Sequence, residues 1–455
     1  MKQLQVCNKR DLLEIVENID TQKTSKMLLF IALGTVFLDA YDLTILGTST
    51  DQIKKEFHLS PTMLSVVMTV MPFGALFGAI LGGRFADKIG RKKIFSVSLL
   101  LLIITALGAA FSPNVILLIL CRFVMGFAIE MDSPVVFTYI AEISNKSDKG
   151  RNVNYWQVVW YISMVASALC VIMFFLLGTG DHLWRFAVGF GAVIALVLYI
   201  LRLKYLDESP IWIVNHRPLN EAAQFVEQHY HLKVNLIEDD TTTPVKKQSD
   251  QALQALLSKR YFPRLALATA IATLQGMQYY AIGLYIPLIA TYIIGDGKLE
   301  SLLGTAIVNI AGIVGAYFGA KFTLRFGARK LTMIGFGLVL LAMLCIGLMY
   351  KSLPMIFNTL FVAVFLFGHA GGPGTQGKTI GAMSFPTSLR GRATGVVESV
   401  SRLGSISGTF VFPVVLAAAG LSNTMLILAA VPFVGFLVTF LIKWEPVGKN
   451  VENEA

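Results

Sequence analysis

GRFADKIGRKK, residues 83–93, joins two apolar runs of the sequence, residues 61–83 and 94–112. Each run has the roughly 20 apolar residues that a helix needs to cross a lipid bilayer. The glycines of the joining segment permit close helix approach and a tight turn, and its acid can face the positive end of a helix. Its basic cluster is typical of the inner membrane surface. The pattern predicts two membrane-spanning helices joined by a short cytoplasmic turn.

The overall composition agrees with a membrane protein. The 455-residue chain is 55% hydrophobic and only 15% charged, whereas soluble domains carry about 25% charged residues. This excludes an intrinsically disordered chain, a collagen-like chain and a small disulfide-bonded protein. The four cysteines lack metal-ligand spacing, and the sequence has no phosphate-binding glycine loop and no catalytic motif. We therefore predict no cofactor, no metal site and no enzymatic activity.

Twelve apolar stretches are long enough to cross the bilayer as helices. They cover residues 27–50, 61–83, 94–112, 114–142, 153–178, 185–206, 262–294, 301–323, 331–350, 354–382, 391–419 and 423–443. We predict an all-α membrane protein of two six-helix bundles, each built of inverted three-helix repeats. The first bundle, with an N-terminal tail, occupies residues 1–206, and a cytoplasmic linker follows at residues 207–261. The second bundle, with a short tail, occupies residues 262–455, and Gly371-Gly-Pro-Gly374 is expected to break its fourth span.

The distribution of basic residues predicts the orientation of the chain. Of the 38 Lys and Arg residues, three fall within spans and five fall in loops opposite the termini, namely Lys54, Lys55, Arg185, Lys298 and Lys351. All the others lie on the side of the termini. Because basic residues favour the cytoplasmic side, both termini are predicted to be cytoplasmic. The net charge of +10 then reflects topology, and we expect no nucleic-acid partner.

The segment GRFADKIGRKK resembles the signature loop of the major facilitator superfamily of transporters. Similarity to its sugar porter branch extends over the whole chain, through Glu142 before Lys149-Gly150, Asp207-Glu208-Ser209-Pro210, and Phe385-Pro386 before Arg390-Gly391. In that superfamily such segments latch the two halves together on the cytoplasmic side. The resemblance implies a cytoplasmic gate formed by Gly83, Asp87, Gly90, Arg91, Lys92, Glu142, Glu208 and Arg390.

The second half departs from the pattern of this superfamily. Its turn at residues 325–330 has no acid, and Met383 stands where a glutamate is usual. We therefore expect the latch to depend more on the first half than is common.

Charged residues inside the predicted spans are candidates for function, because each costs about 2.5–3.5 kcal/mol at mid-membrane. They are five acids and three bases: Asp39, Asp42, Glu130, Asp132, Glu398, Arg122, Lys378 and Arg402. At least two carboxylates then lack a basic partner, and burial favours the protonated form of such a group. We predict that this surplus of acids carries protons.

Asp42 and Arg122 are predicted to lie at one depth in antiparallel spans and to pair. They are similar to an Asp/Arg couple of proton-linked sugar porters, which implies that protonation of Asp42 releases Arg122; a static structural pair is the alternative. Asp39 lies one turn deeper on the same face. Asp39-Ala-Tyr-Asp42 and Asp132-Ser-Pro resemble phosphate and aromatic-acid symporters, in which such acids couple protons. Because Glu130 and Asp132 cannot share a helix face, we expect Asp132 to face the cavity.

Lys378 stands where sugar porters have a tryptophan that stacks on the sugar. A lysine there can attract a carboxylate or phosphate, and Arg402, one turn after Glu398, adds a second cation. We predict an anion site of these three residues. Alternatively, Lys378 pairs with a first-half acid and Arg402 with Glu398, which leaves a site for a neutral substrate. Further substrate-binding residues are predicted at Gln157, Gln275, Gln278 and Tyr280; the resemblance implies the first two.

These features predict a secondary active transporter that works by alternating access as a monomer in the inner membrane. We expect proton-coupled symport of an organic anion or sugar acid, with substrate, protons and the bilayer as partners. A proton-coupled symporter of a neutral sugar or polyol is the main alternative, which the sugar porter motifs favour and Lys378 opposes. Drug or metabolite efflux and a non-transporting nutrient receptor are further alternatives.

Overall fold

The computed structural model describes residues 3–18, 26–143, 149–230, 233–236, 251–294, 298–449 and 451. The first part forms β1 (Gln3–Val6), α1 (Lys9–Asn18), α2 (Lys26–Ala32), α3 (Gly34–Thr48), α4 (Thr50–Glu56), α5 (Pro61–Ile89), α6 (Arg91–Ala110), α7 (Val115–Ile143), α8 (Lys149–Leu176) and α9 (Leu183–Tyr205). The middle part forms α10 (Pro210–His216), α11 (Leu219–Tyr230), β2 (Lys233–Leu236) and α12 (Gln251–Leu256). The last part forms α13 (Phe262–Ile282), α14 (Ile286–Ile294), α15 (Lys298–Phe326), α16 (Ala328–Met349), α17 (Met355–His369), α18 (Thr375–Met383), α19 (Thr387–Leu428) and α20 (Ala430–Leu441).

These helices build the twelve-span architecture expected from the sequence. Eight helices within the described ranges are long and apolar enough to cross a membrane. Of the other predicted spans, the fourth is α7, which is continuous but carries four charged residues. The first span is divided at Leu33 into α2 and α3, and the seventh is interrupted by a 3-10 turn at Gly283–Tyr285.

The glycine run in the tenth span breaks the helix as predicted. Gly372 has non-helical backbone angles (φ −106°, ψ −112°) within a π-type turn between α17 and α18. A side chain at Gly372 would collide with the backbone of Gly335 in α16. The backbone of α19 is broken at Gly420 (φ 73°), at the predicted boundary between the last two spans.

Glycines set the distance between neighbouring helices. Gly74, Gly78 and Gly82 lie one turn apart on α5, and a Cβ at any of them would collide with the backbone of α7. Such small-residue ridges let membrane helices approach closely, since lipid supplies no hydrophobic drive for their association. The two halves of the molecule meet mainly where α5 packs on α19 and α8 packs on α15.

A buried ion pair lies inside the first half. Nη1 of Arg202 in α9 is 3.1 and 3.0 Å from the two carboxylate oxygens of Asp132 in α7. The hydroxyl groups of Thr35 and Ser98 also donate to this carboxylate. Asp132 is fully buried and surrounded by donors from its own half. The prediction that Asp132 faces the cavity is therefore wrong.

Arg202 also holds the break in the first span. Its guanidinium donates to the main-chain oxygens of Ile31 and Ala32, immediately before the break at Leu33, and it lies 4.5 Å over the Phe95 ring. Because Arg202 is close to the end of a predicted span, sequence reasoning counted it with the cytoplasmic charges. Its pairing with Asp132 adds a fourth cation to the intramembrane set.

A small domain joins the N-terminal segment to the linker. β1 pairs in parallel with β2, with Gln3 opposite Lys233 and Val6 opposite Leu236. Beneath this pair α1, α10 and α11 share a hydrophobic core that is separate from those of the bundles. The sequence predicted only an N-terminal tail and a separate cytoplasmic linker here. We call the face of the molecule that carries this domain the terminal side, and the other face the opposite side.

On the opposite side, Glu56 ties the segment after the first span to the sixth span. Its carboxylate accepts hydrogen bonds from Nε1 of Trp184 at 2.6 Å and from Nε of Arg185 at 3.0 Å. Arg185 also donates to the main-chain oxygens of Ala110 and Ser112, each at 2.8 Å. One guanidinium at the start of α9 thus connects α4 with the end of α6 and the turn that follows it.

Replacement of Asp132 by Asn is expected to destabilise the protein by about 3–5 kcal/mol, because it leaves Arg202 buried without a counter-charge. The free energy of unfolding is to be measured by chemical denaturation in detergent micelles. The matched control is Arg217→Gln, which removes an exposed ion pair with Glu221 and should cost no more than about 1 kcal/mol. Equal losses in both variants would contradict the structural role of the buried pair.

Glu56 is expected to make stability depend on pH. Although partial burial acts in the other direction, hydrogen bonds from Arg185 and Trp184 lower the pKa of Glu56 below its usual value. Its contribution is therefore complete at neutral pH and is lost as acid protonates the folded protein, between about pH 5 and pH 3. Melting temperatures of the wild type and Glu56→Gln should differ at pH 7 and converge in that range. A constant difference would rule out ionised Glu56 as the cause.

Candidate functional site

Charged side chains from both halves meet near the middle of the membrane-spanning region. They come from four helices: α3 (Asp39, Asp42), α7 (Arg122, Glu130), α18 (Lys378) and α19 (Glu398, Arg402). Glu130 and Arg402 each follow the start of their helix by about 22 Å, at a rise of about 1.5 Å per residue. Because α7 and α19 start from different sides, the two residues reach the same depth.

An ion pair joins the halves at this depth. Nη2 of Arg402 is 2.5 Å from Oε1 of Glu130, and both side chains are largely buried. Sequence reasoning left Glu130 outside the site, because it expected Asp132 on the cavity face. With Asp132 turned into the first half, Glu130 is the residue of this helix that faces the second half.

Lys378 lies in an aromatic cage supplied by the other half. Its ammonium is 4.5 Å from the centroid of the Phe137 ring and 4.2 Å from that of Trp156, a cation–π geometry. It is also 3.6 Å from Oε1 of Glu398. The pairing expected for a neutral-substrate site, with Arg402 on Glu398 and Lys378 on a first-half acid, is therefore wrong. The cations have exchanged partners relative to that expectation.

Asp42 and Arg122 are both buried but are not in direct contact. Arg122 Nη2 lies 3.1 Å from Sδ of Met71, while Nε of Arg122 and Oδ1 of Asp42 have no hydrogen-bond partner. The two charges attract one another over a longer distance. The predicted contact pair is thus wrong for this conformation. Asp39, one turn deeper, interacts electrostatically with the charges of the second half and with Glu130.

The predicted hydrogen-bonding residues divide into two groups. The amide nitrogens of Gln275 and Gln278 are engaged within the second half, with the main-chain oxygen of Ala272 at 3.2 Å and Nδ1 of His369 at 3.1 Å. Gln157 is buried with its Oε1 unpartnered. Tyr280 is buried and interacts electrostatically with the central charges. Few amide donors are thus left free to bind a substrate.

On the terminal side, Glu208 connects the linker to the signature turn. Gly90 (φ 99°) precedes α6, whose first two main-chain N–H groups, of Arg91 and Lys92, donate to the Glu208 carboxylate at 2.7 and 3.2 Å. A carboxylate is favourable at a helix N-terminus because free N–H groups and the helix dipole meet it there. The Lys92 ammonium is 3.6 Å from Asp207.

The other predicted gate residues are only partly described. The backbone positions of Gly83 and Asp87 at the end of α5 and of Glu142 at the end of α7 are described, whereas the side chains of Asp87 and Glu142 lie outside the described part. Nε of Arg390 donates to the main-chain oxygen of Phe385 at 3.3 Å.

The second half contains an equivalent arrangement, in which a distant carboxylate accepts from the first N–H groups of a helix, and the sequence did not predict it. Gly327 (φ 85°) precedes α16, and the N–H groups of Ala328 and Arg329 donate to Glu445 at 3.1 and 2.9 Å. Glu445 is more than 100 residues away from this turn, so no local pattern pointed to it. Its position after the last span, matching that of Glu208 after the sixth, was the available signal.

The central charges differ in their exposure. The Lys378 and Glu398 side chains are 26% and 35% exposed, whereas Asp42, nearer the opposite side, is buried. There the halves are joined by Trp160, whose Nε1 donates to the Tyr279 hydroxyl at 2.6 Å.

Comparison with known proteins agrees with this architecture. Residues 27–454 match the family of sugar (and other) transporters. The inner membrane metabolite transport protein YgcS of Escherichia coli is 29% identical, over 91% of this chain and 89% of YgcS. The niacin transporter NiaP of Acinetobacter baylyi is 25% identical, over 97% of this chain and 99% of NiaP.

Among solved structures, the inward-open xylose transporter XylE of E. coli superposes with a TM-score of 0.74 at 18% identity, over 93% of this chain and 98% of XylE. The relatives are transporters and not enzymes. The chain is accordingly a multi-pass inner-membrane protein and a secondary transporter of small metabolites. By its sequence match and its fold, it belongs to the family of sugar and other transporters within the major facilitator superfamily.

Proposed function

We propose that this transporter catalyses proton-coupled symport of a small organic anion. The observation that carries the proposal is the presence of two cations, Arg402 and Lys378, at the meeting point of the halves. Each is held by a carboxylate and by groups of the first half. A substrate anion that enters between the halves meets both of them.

The proton-coupling part of the proposal rests on Asp42 and Asp39. Both are buried on α3, Oδ1 of Asp42 has no hydrogen-bond donor, and neither forms an ion pair within the described residues. A buried carboxylate without a close cation favours its protonated form. Protonation of Asp42 removes its attraction for Arg122, which lies on a different helix, and so changes the packing of α3 against α7.

The alternating-access part of the proposal concerns the two bundles and the linker between them. The bundles, residues 1–206 and 262–455, rock against each other around the central charges, and the linker, residues 207–261, connects them. The terminal side is cytoplasmic, as the positive-inside rule requires. The gate residues, from Gly83 to Arg390, then open and close the cytoplasmic entrance, and the protein works as a monomer.

Symport of a neutral sugar or polyol is the second candidate. The family name and the fold shared with XylE favour it. The engaged amide N–H groups of Gln275 and Gln278 disfavour it, whereas the unpartnered amide oxygens of Gln157 and Gln278 could accept from a hydroxyl. Anion symport requires only the two cations, Lys378 and Arg402.

The substrate class is to be tested by isotope uptake into proteoliposomes with an inward proton gradient. The panel contains the anions nicotinate, benzoate, gluconate and phosphate and the neutral compounds xylose and myo-inositol. We expect uptake of an anion, reduced at least about tenfold in Lys378→Gln, since loss of about 1.4 kcal/mol of binding suffices for that factor. Uptake of neutral compounds only, unaffected by Lys378→Gln, would make Lys378 a structural residue and refute the anion proposal.

Replacement of Asp42 by Asn should abolish accumulation driven by the proton gradient while preserving exchange of substrate between equal concentrations. The amide keeps the shape of the carboxylic acid but cannot release a proton. Both activities are to be measured in the same vesicles, with Glu221→Gln on the exposed linker surface as control. Accumulation at the wild-type level would remove Asp42 from the coupling mechanism.

A further inference from the structure

We propose that Glu130 is an internal competitor of the substrate: its carboxylate occupies Arg402 until a proton neutralises it, and the substrate anion then takes its place. This inference rests on the proposed anion symport and names the residue that links the proton to the anion. None of the sequence motifs assigns a role to Glu130.

The geometry requires one counter-anion for Arg402. Nη2 of Arg402 is 2.5 Å from Oε1 of Glu130, the two side chains are 12% and 6% exposed, and Nε of Arg402 has no partner. A guanidinium presents a fork that can hold a carboxylate by two hydrogen bonds, and Glu130 uses one arm. A substrate carboxylate can therefore bind by both arms once Glu130 withdraws.

The surrounding charges make simultaneous occupation unfavourable. The charged or titratable groups that interact with the pair are Asp39 on α3, Lys378 on α18, Glu398 on α19 and Tyr280 on α13. Lys378 is already neutralised by Glu398. An added anion on Arg402 would face ionised Glu130 at contact distance, with no spare cation among these groups. A proton on Glu130 removes its negative charge and so restores the balance of positive and negative charges at the site.

We place Asp42 and Asp39 on the route of the proton to Glu130. Asp42 and Asp39 lie one turn apart on α3, and Asp39 is the acid of that helix that interacts electrostatically with Glu130. A proton that reaches Asp42 from the opposite side can pass to Asp39 and then to Glu130. The earlier proposal for Asp42 and this one for Glu130 thus describe two stations of one route.

Replacement of Glu130 by the substrate anion on Arg402 also changes how the two halves are held together. Glu130 belongs to the first half and Arg402 to the second, so the pair holds the halves together at mid-membrane. Its protonation frees them, and a bound anion joins them again only by contacting both. One proton moves with one monovalent anion, and the loaded carrier gains no net charge. The pH gradient then drives transport, whereas the membrane potential contributes little.

The exchange can be tested without knowing the substrate, by using acetate as a free carboxylate. In detergent at pH 7.5, acetate is added to the wild type, Glu130→Ala and the double variant Glu130→Ala/Arg402→Gln, with equal sodium chloride as the salt control. We expect acetate to raise the melting temperature of Glu130→Ala by about 4 °C or more, because a ligand of the folded state stabilises it. The wild type and the double variant should not respond. Failure of acetate to distinguish the three proteins would overturn the inference.

Transport supplies an independent readout. In Glu130→Gln vesicles, exchange of the anion should persist and binding should lose its dependence on pH, while uptake driven by the pH gradient falls at least about tenfold. Wild-type coupling in this variant would overturn the role of Glu130. Uptake of neutral compounds only, by the wild type, would instead defeat the proposed function. Acetate rescue would then show a carboxylate site that this transport does not use.

Discussion

A charge in the middle of a bilayer needs a counter-charge, and this requirement organises the molecule. Three cations satisfy this requirement by a direct ion pair, and the three pairs differ in whether they lie within one half or join the two halves. Arg202 and Asp132 belong to the same half and can move as one body. Lys378 and Glu398 also share a half, although the aromatic rings around the ammonium come from the other. Among these three ion pairs, only that of Arg402 and Glu130 crosses between halves, so it is the ion pair that must break when they separate.

The same helix serves both kinds of pair. Glu130 and Asp132 are two residues apart on α7, and so they point to different sides of it. One carboxylate contacts the second half, and the other closes the core of the first half beside the break in the first span. A movement of α7 therefore displaces groups at the central site and at that break at the same time. This arrangement links substrate binding to the shape of the first span through a single rigid element.

The sequence predicted the architecture well because lipid imposes strong rules on it. Span length, the glycine break and the turns at Gly90 and Gly327 all follow from local chemistry. The pairing of charges did not, because it depends on which helix face each residue occupies. Arg202 was misplaced by its nearness to a span end, and Asp132 was assigned to the wrong face. Glu445 could be found only through the symmetry of the two halves.

The pairing of β1 with β2 has a consequence for synthesis of the chain. The partner of Gln3 is Lys233, so the first strand has no neighbour until the ribosome has completed the sixth span and the start of the linker. Loop closure over such a distance is slow compared with local helix formation. The N-terminal segment thus folds after the helices that follow it. A protein fused to the N-terminal side of β1 would therefore adjoin a domain whose two strands come from before and after the first bundle.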